Sequence, residues 1–353
     1  MLVLEGVGGN LMNLTSLSLK TKIIAAVSVI LIILITLVWF LFQIFEAKAA
    51  INPVFGKLPV VAITPYAKVA KDFQVSENFD TNAIRSLKTA GVFEKTDTAQ
   101  ENLQEITKKL FPGIESKINT LGEIYWLTNN RELFYDSVRA ELRYGLPISK
   151  ISQEKIGPSL SEEELKQEAL KFLQEAGFYN EGTPVKLETT GFLVASGLEF
   201  RSVSNIKSAD FINFSVLPLL ENSEFLTNNT FLAQTNVRLR MDGLITRVGH
   251  RFIGTGRSGV YPLKKISQAK KELNLATPVF VKVLGEDVFG FTESIVLKSA
   301  SFNKVSLAYY TESVGKGIIG PVYKLEGTAI LDNGKRAEVV FLLPAVAQEW
   351  LQQ

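Results

Sequence analysis

Between Ile23 and Phe45 the chain reads IIAAVSVILIILITLVWFLFQIF. No residue in this run is charged, and only Ser28, Thr36 and Gln43 are polar. About 20 apolar residues, rising 1.5 Å each, cross a hydrocarbon layer about 30 Å thick. A helix there would satisfy its own backbone hydrogen bonds, as lipid demands. Trp39 and Phe40 lie toward one end, where aromatic rings favour the interface. The run predicts a single membrane-spanning helix, with the lipid bilayer as its partner. Lys20 and Lys22 precede it, Glu5 is the only acid before it, and Glu46 and Lys48 cancel after it. The positive-inside tendency places residues 1–22 in the cytoplasm and the C-terminal region outside. A-K-A at residues 47–49 has the form read by signal peptidase. Cleavage after Ala49 is therefore the alternative, but the run exceeds the roughly 7–15 residues of a signal core, which favours an uncleaved anchor.

The remainder has the composition of an ordinary globular chain. It carries 38 basic and 36 acidic residues, a net charge of +2, so nothing global points to nucleic acid. The absence of cysteine excludes disulfides, thiolate metal sites, thiol nucleophiles and thiol lipidation. The single histidine, His250, would have to carry any zinc site or Ser-His-Asp triad alone. No cofactor or metal is expected.

Periodicity organises the chain after residue 45. Residues 46–59, rich in proline and glycine, form an extended tether. Three amphipathic helices follow. The first starts at Thr98, with Glu101 completing a capping box, and the second at Ser161 with Glu164. Gly177 is placed to end the second. The third sets Ile266, Ala269 and Leu273 on one side. Alternating segments come after each helix, with turns at Asn129-Asn130, Asp242-Gly243 and Asn333-Gly334. This is the pattern of an α+β protein, a transmembrane helix followed by repeated helix-plus-antiparallel-meander modules at 60–155, 156–260 and 261–353.

Several stretches invite a chemical reading. GTGRSG at residues 254–259 spells the dinucleotide fingerprint G-x-G-x-x-G. A nucleotide turn must open a helix, yet Val260, Tyr261 and Pro262 follow, so the stretch reads as a glycine-rich loop leading to the third helix. His250 lies between hydrophobic residues and reads as structural. The run SEEE at 161–164 is explained by acids countering a helix macrodipole. Arg238, Arg240, Arg247 and Arg251 form a locally basic hairpin, with Arg238 and Arg240 on one strand face opposite Val237, Leu239 and Met241. That face is either an anion- or partner-binding surface or a solvated strand face with snorkelling side chains. Tyr309, Tyr310 and Tyr323 are either core aromatics or contacts lining a groove for an extended peptide.

The order YPLKKISQAKKEL, SIVLKSASFNKVSLAYY, GPVYKLEGTAILDNG and FLLPAV resembles extracytoplasmic regulatory domains of the YycH/YycI kind and, more broadly, PepSY-type modules. EALKFLQEAGF followed by MDGLITRV resembles a preceding module of the same type. The likeness spans roughly residues 160–346, while FINFSVLPLLENSEFLTNN departs from it and residues 60–155 lie outside it. It implies a tethered, non-catalytic domain that binds a partner outside the cell. The resulting expectation is a regulatory protein of a prokaryotic envelope, acting by protein–protein contacts and not as an enzyme. The alternatives are an envelope-polymer hydrolase and a structural component of a secretion or pilus apparatus.

Overall fold

The computed structural model describes residues 27–37, 51–96, 98–147, 151, 157–196, 199–228, 232–284, 295–312 and 317–352. The chain divides into two units, Met1–Ile51 and Asn52–Gln353.

In the first unit residues 27–37 form an α-helix whose side chains are all exposed. The expected span continues into residues 23–26 and 38–45, which lie outside the described residues. At 1.5 Å per residue the described helix covers about half of a hydrocarbon core. Among the described residues no helix is long and apolar enough to cross a membrane. This overturns the single-pass anchor, and with it the cytoplasmic N-terminus and the outside location of the rest.

In the second unit the chain runs β1 (Lys68–Glu77), β2 (Thr89–Thr96), α1 (Ala99–Leu110), β3 (Lys117–Ile118), β4 (Ile124–Leu127), β5 (Glu132–Asp136) and β6 (Glu141–Gly145). Next come α2 (Glu162–Glu175), β7 (Val185–Ser196), β8 (Glu199–Val203), β9 (Phe211–Leu220), β10 (Ser223–Thr227), β11 (Thr235–Arg240) and β12 (Ile245–Arg251). The last part holds β13 (Gly254–Pro262), α3 (Ile266–Lys271), β14 (Thr277–Val283), β15 (Val296–Thr311), β16 (Ile318–Leu331) and β17 (Arg336–Pro344).

Nine strands make an antiparallel sheet in the order β3-β4-β5-β6-β12-β11-β9-β7-β8. The stripes of α1 and α2 cover one face. Ile106, Leu165, Ala169 and Leu173 are buried there with Leu133, Leu142, Phe214, Val237 and Val248. A second sheet runs β14-β17-β16-β15, and the far edge of β15 is parallel to β1 at one end and to β10 at the other. Because β10 is also the antiparallel hairpin partner of β9, it joins the two sheets.

The protein is therefore mostly β, a mixed sheet connecting all seventeen described strands, and not a row of helix-plus-meander modules. Residues 141–145 lie beside residues 247–251, and residues 89–96 beside residues 254–262 and 318–319. Periodicity reports which face of a strand is buried and is silent on which distant strand lies alongside.

The short-range signals are met unevenly. Asp242-Gly243 and Asn333-Gly334 turn β11 into β12 and β16 into β17, with positive φ at both glycines. Ser161 and Glu164 form a reciprocal capping box. Thr98 makes no side-chain cap and instead accepts from Asn102 Nδ2 at 3.1 Å. The third helix is shorter than expected, passing at once into a 3-10 turn, Leu273–Leu275. GTGRSG is neither a nucleotide turn nor a loop: it begins β13, antiparallel to β2. Its glycines permit close approach. A Cβ on Gly254 would fall 2.4 Å from Thr98 Cγ2, and one on Gly259 2.9 Å from the Asn52 carbonyl.

The two caps yield a paired prediction. Ser161→Ala removes a formed box and lowers unfolding free energy by about 1 kcal/mol. Thr98→Ala removes no cap and stays within about 0.5 kcal/mol. Equal losses in urea unfolding would contradict this difference.

Candidate functional site

Alternation along β11 and β12 sends Val237, Leu239 and Val248 under the helices and the arginines to the opposite face. Register aligns Glu132, Gly145, Arg247, Arg238, Asn213 and Gly191 across six strands. Arg238 and Arg247 are thus directly opposite each other. Arg238 is half-buried: its Nε donates to Asn213 Oδ1 at 3.0 Å and its guanidinium lies 4.2 Å from the Phe200 ring centre. Burial, reinforced by the charge of Arg247, pushes its pKa down to about 10. Arg247 is exposed. The two line a cavity of about 240 Å³ that Phe134, Phe200, Arg143 and Glu132 also border.

The other arginines are engaged. Arg240 grips Asp242 through Nε and Nη2, at 2.8 and 2.6 Å, and donates to the Ile151 carbonyl. Burial opposes ionisation of Asp242, but Arg240 and the Gly157 amide hold its carboxyl down at about 2. Arg240 therefore fastens the hairpin turn. Arg251 donates to the Asn228 carbonyl and lies 3.9 Å from Glu141. The structure brings Arg238 and Arg247 together and ties Arg240 and Arg251 elsewhere on the same face.

The tyrosines are interior. Tyr309 and Tyr323 belong to the core of the second sheet, and Tyr310 packs on its opposite face with Leu217 and Leu342. Tyr309 Oη donates to the Glu221 carboxylate, and Tyr323 Oη to the Lys264 carbonyl at 2.5 Å. Burial raises all three hydroxyl pKa values, that of Tyr323 to about 12.

Where the two sheets meet, a groove of about 480 Å³ opens over an apolar floor of Leu217, Leu226, Leu232, Phe280 and Val340. Its walls carry interlocked charges. Glu224 on β10 accepts from Lys186 on β7 and, at 2.7 Å, from Lys324 on β16. Lys324 also lies 3.4 Å from Glu326, which takes Lys304 at 2.6 Å. Lys186 reaches Glu188 at 2.5 Å, and Lys282 stands 3.9 Å from Glu338. Four lysines thus answer four glutamates. Burial opposes the charges on Glu224 and Lys324, yet their mutual attraction prevails: the carboxyl is held below its usual range and the ammonium above it. Sequence reading missed this ladder because its members are spread from residue 186 to 338. The only local trace is same-face spacing in Lys186/Glu188 and Lys324/Glu326.

His250 is sealed in the helix-covered core. Its Nδ1 is 2.7 Å from Thr235 Oγ1, which meets Tyr179 Oη at 2.6 Å, and the rings of Phe178, Tyr179 and Phe252 surround it. Among the described residues no group of three His, Asp or Glu side chains could hold a metal ion. The SEEE acids serve α2 and its surroundings: Glu164 closes the capping box and Glu162 accepts from Thr189.

No protein-family model matches the chain. No curated protein matches it in sequence. Among solved structures it is similar to an uncharacterized protein from Eubacterium rectale ATCC 33656, with TM-score 0.38 and 13% identity over 79% of this chain and 90% of that one. It is also similar to YycH from Bacillus subtilis, with TM-score 0.37 and 12% identity over 74% of this chain. The match spans about half of that protein, 53%. A YycH structure is thus a neighbour of this chain, at a likeness too low to assign an activity.

The sealed histidine makes the protein acid-sensitive. Burial lowers the His250 pKa to about 3, against about 6.5 in the unfolded chain. The neutral ring's contribution is complete above pH 6.5 and is lost as pH falls toward 3. Between pH 6.5 and 5, unfolding free energy should drop by up to about 1.4 kcal/mol per unit. His250→Asn should be less stable but lack that slope. Identical slopes in denaturant titrations of the two proteins would contradict the assignment.

Proposed function

We propose that the protein is a non-catalytic binding protein that regulates a protein partner, whose extended segment lies in the groove between the sheets. The carrying observation is a charge-compensated wall above an apolar floor. A ligand entering there finds apolar contact below and Lys–Glu pairs that can re-pair with its own side chains, which suits a peptide of mixed polarity. The groove's carboxylates argue for binding rather than hydrolysis. A general acid needs a raised pKa, whereas Glu326 on the groove wall, like Glu224 behind it, is held ionised by lysines. The same reading follows from the strand-and-turn resemblance to YycH/YycI-type regulatory domains.

Lys282 and Glu338 form the exposed pair of the wall and can be altered without opening the buried pairs. A photo-crosslinker replacing Glu338 should capture one stoichiometric protein partner in cells. Lys282→Glu should reduce that capture at least tenfold while leaving the melting temperature within a few degrees. Capture indifferent to the charge reversal would contradict the groove as the site. Turnover of a polymer by the purified protein would contradict the non-catalytic reading.

A further inference from the structure

We infer that Arg238 and Arg247, facing each other on the side of the nine-stranded sheet away from α1 and α2, form a receptor for an oxyanion, a carboxylate or phosphate group on a short apolar stem. This site is separate from the groove and does not depend on the partner proposed for it.

Like charges directly opposite on neighbouring strands destabilise a sheet. Register places these two guanidinium-bearing residues as Cα partners. The other arginines of this face each have a carboxylate: Arg240 has Asp242, Arg143 has Glu123 and Arg251 has Glu141. Among the described residues Arg238 and Arg247 make no ion pair. Arg238 spends only Nε, on the neutral Asn213 amide, so the two Nη groups of its planar fork are uncommitted. Phe200 stacks on that guanidinium and fixes its plane. A pre-oriented guanidinium presents two parallel N–H bonds to a carboxylate or phosphate.

The space beside the pair fits such a group. The cavity of about 240 Å³ admits a few heavy atoms, with Phe134 and Phe200 as apolar walls. Glu132 borders the same cavity and passes over Gly145, within neither arginine's ion-pair distance. It closes one side against a second negative charge, which selects a ligand bearing a single anionic head. Burial and the neighbouring cation both penalise the charge on Arg238, and an anion bound between the two would relieve both penalties.

The test is thermal and calorimetric titration of the full chain with acetate, butyrate and inorganic phosphate, each against sodium chloride at equal ionic strength. At least one of the three should raise the melting temperature saturably, and Arg247→Gln should weaken that binding at least tenfold. Butyrate or acetate alone would mark a carboxylate receptor, and phosphate a phosphate receptor. Either result supports the site. Arg247→Gln should also raise the ligand-free melting temperature in low salt, because it removes the repulsion. That second readout holds even if Arg238→Gln fails to fold. Shifts no larger than chloride gives, or a shift that persists in Arg247→Gln, would overturn the inference.

Discussion

Strand β10 joins what would otherwise be two separate sheets, and its Glu224 carboxylate ties a lysine from each. The strand lies between β9 of one sheet and β15 of the other. One oxygen takes Lys186 from the first sheet and the other takes Lys324 from the second. Lys324 is nearly solvent-free, so it carries a charge there only because acids stand on both sides of it. Removing one partner of a buried pair costs about 3–5 kcal/mol, since the remaining charge is stranded. The groove follows from this junction: its floor is the apolar packing where the sheets meet, and its walls carry the outer members of the ladder, with Glu224 and Lys186 behind them.

The two faces of the nine-stranded sheet divide the labour. The helix-covered face holds the core and the sealed His250–Thr235–Tyr179 chain, where a neutral imidazole is satisfied by a hydroxyl and enclosed by rings. The opposite face keeps its polar side chains in register. There most arginines are matched by acids contributed from other strands or turns, and the Arg238–Arg247 pair is the exception.

Sequence reading reached this architecture only where the determinant was local. Asp242-Gly243 and Asn333-Gly334 were legible because two adjacent residues decide a tight turn. The Ser161 box formed, but the similar Thr98 pattern did not, since Thr98 is held by Asn102 and packs against the Gly254 strand. GTGRSG looked like a loop because glycine weakens a strand in isolation. Here its missing side chains make room for Thr98 and the Asn52 backbone. The partition of Arg238 and Arg240 from Val237 and Leu239 was legible from alternation alone. Which arginine finds an acid was not, because the acid beside Arg251, Glu141, comes from a strand about a hundred residues earlier. The apolar run misled most, since hydropathy is a property of composition and the described helix is only part of its length.

Amide hydrogen exchange on Glu224→Gln probes the junction directly. If one carboxylate holds the sheets together, amides of β7, β10 and the middle of β16 will lose protection together, while those of β4, β5 and β6 keep theirs. Unchanged protection across β7, β10 and β16 would mean that the sheets are joined by something else, and the groove could not be assigned to this ladder.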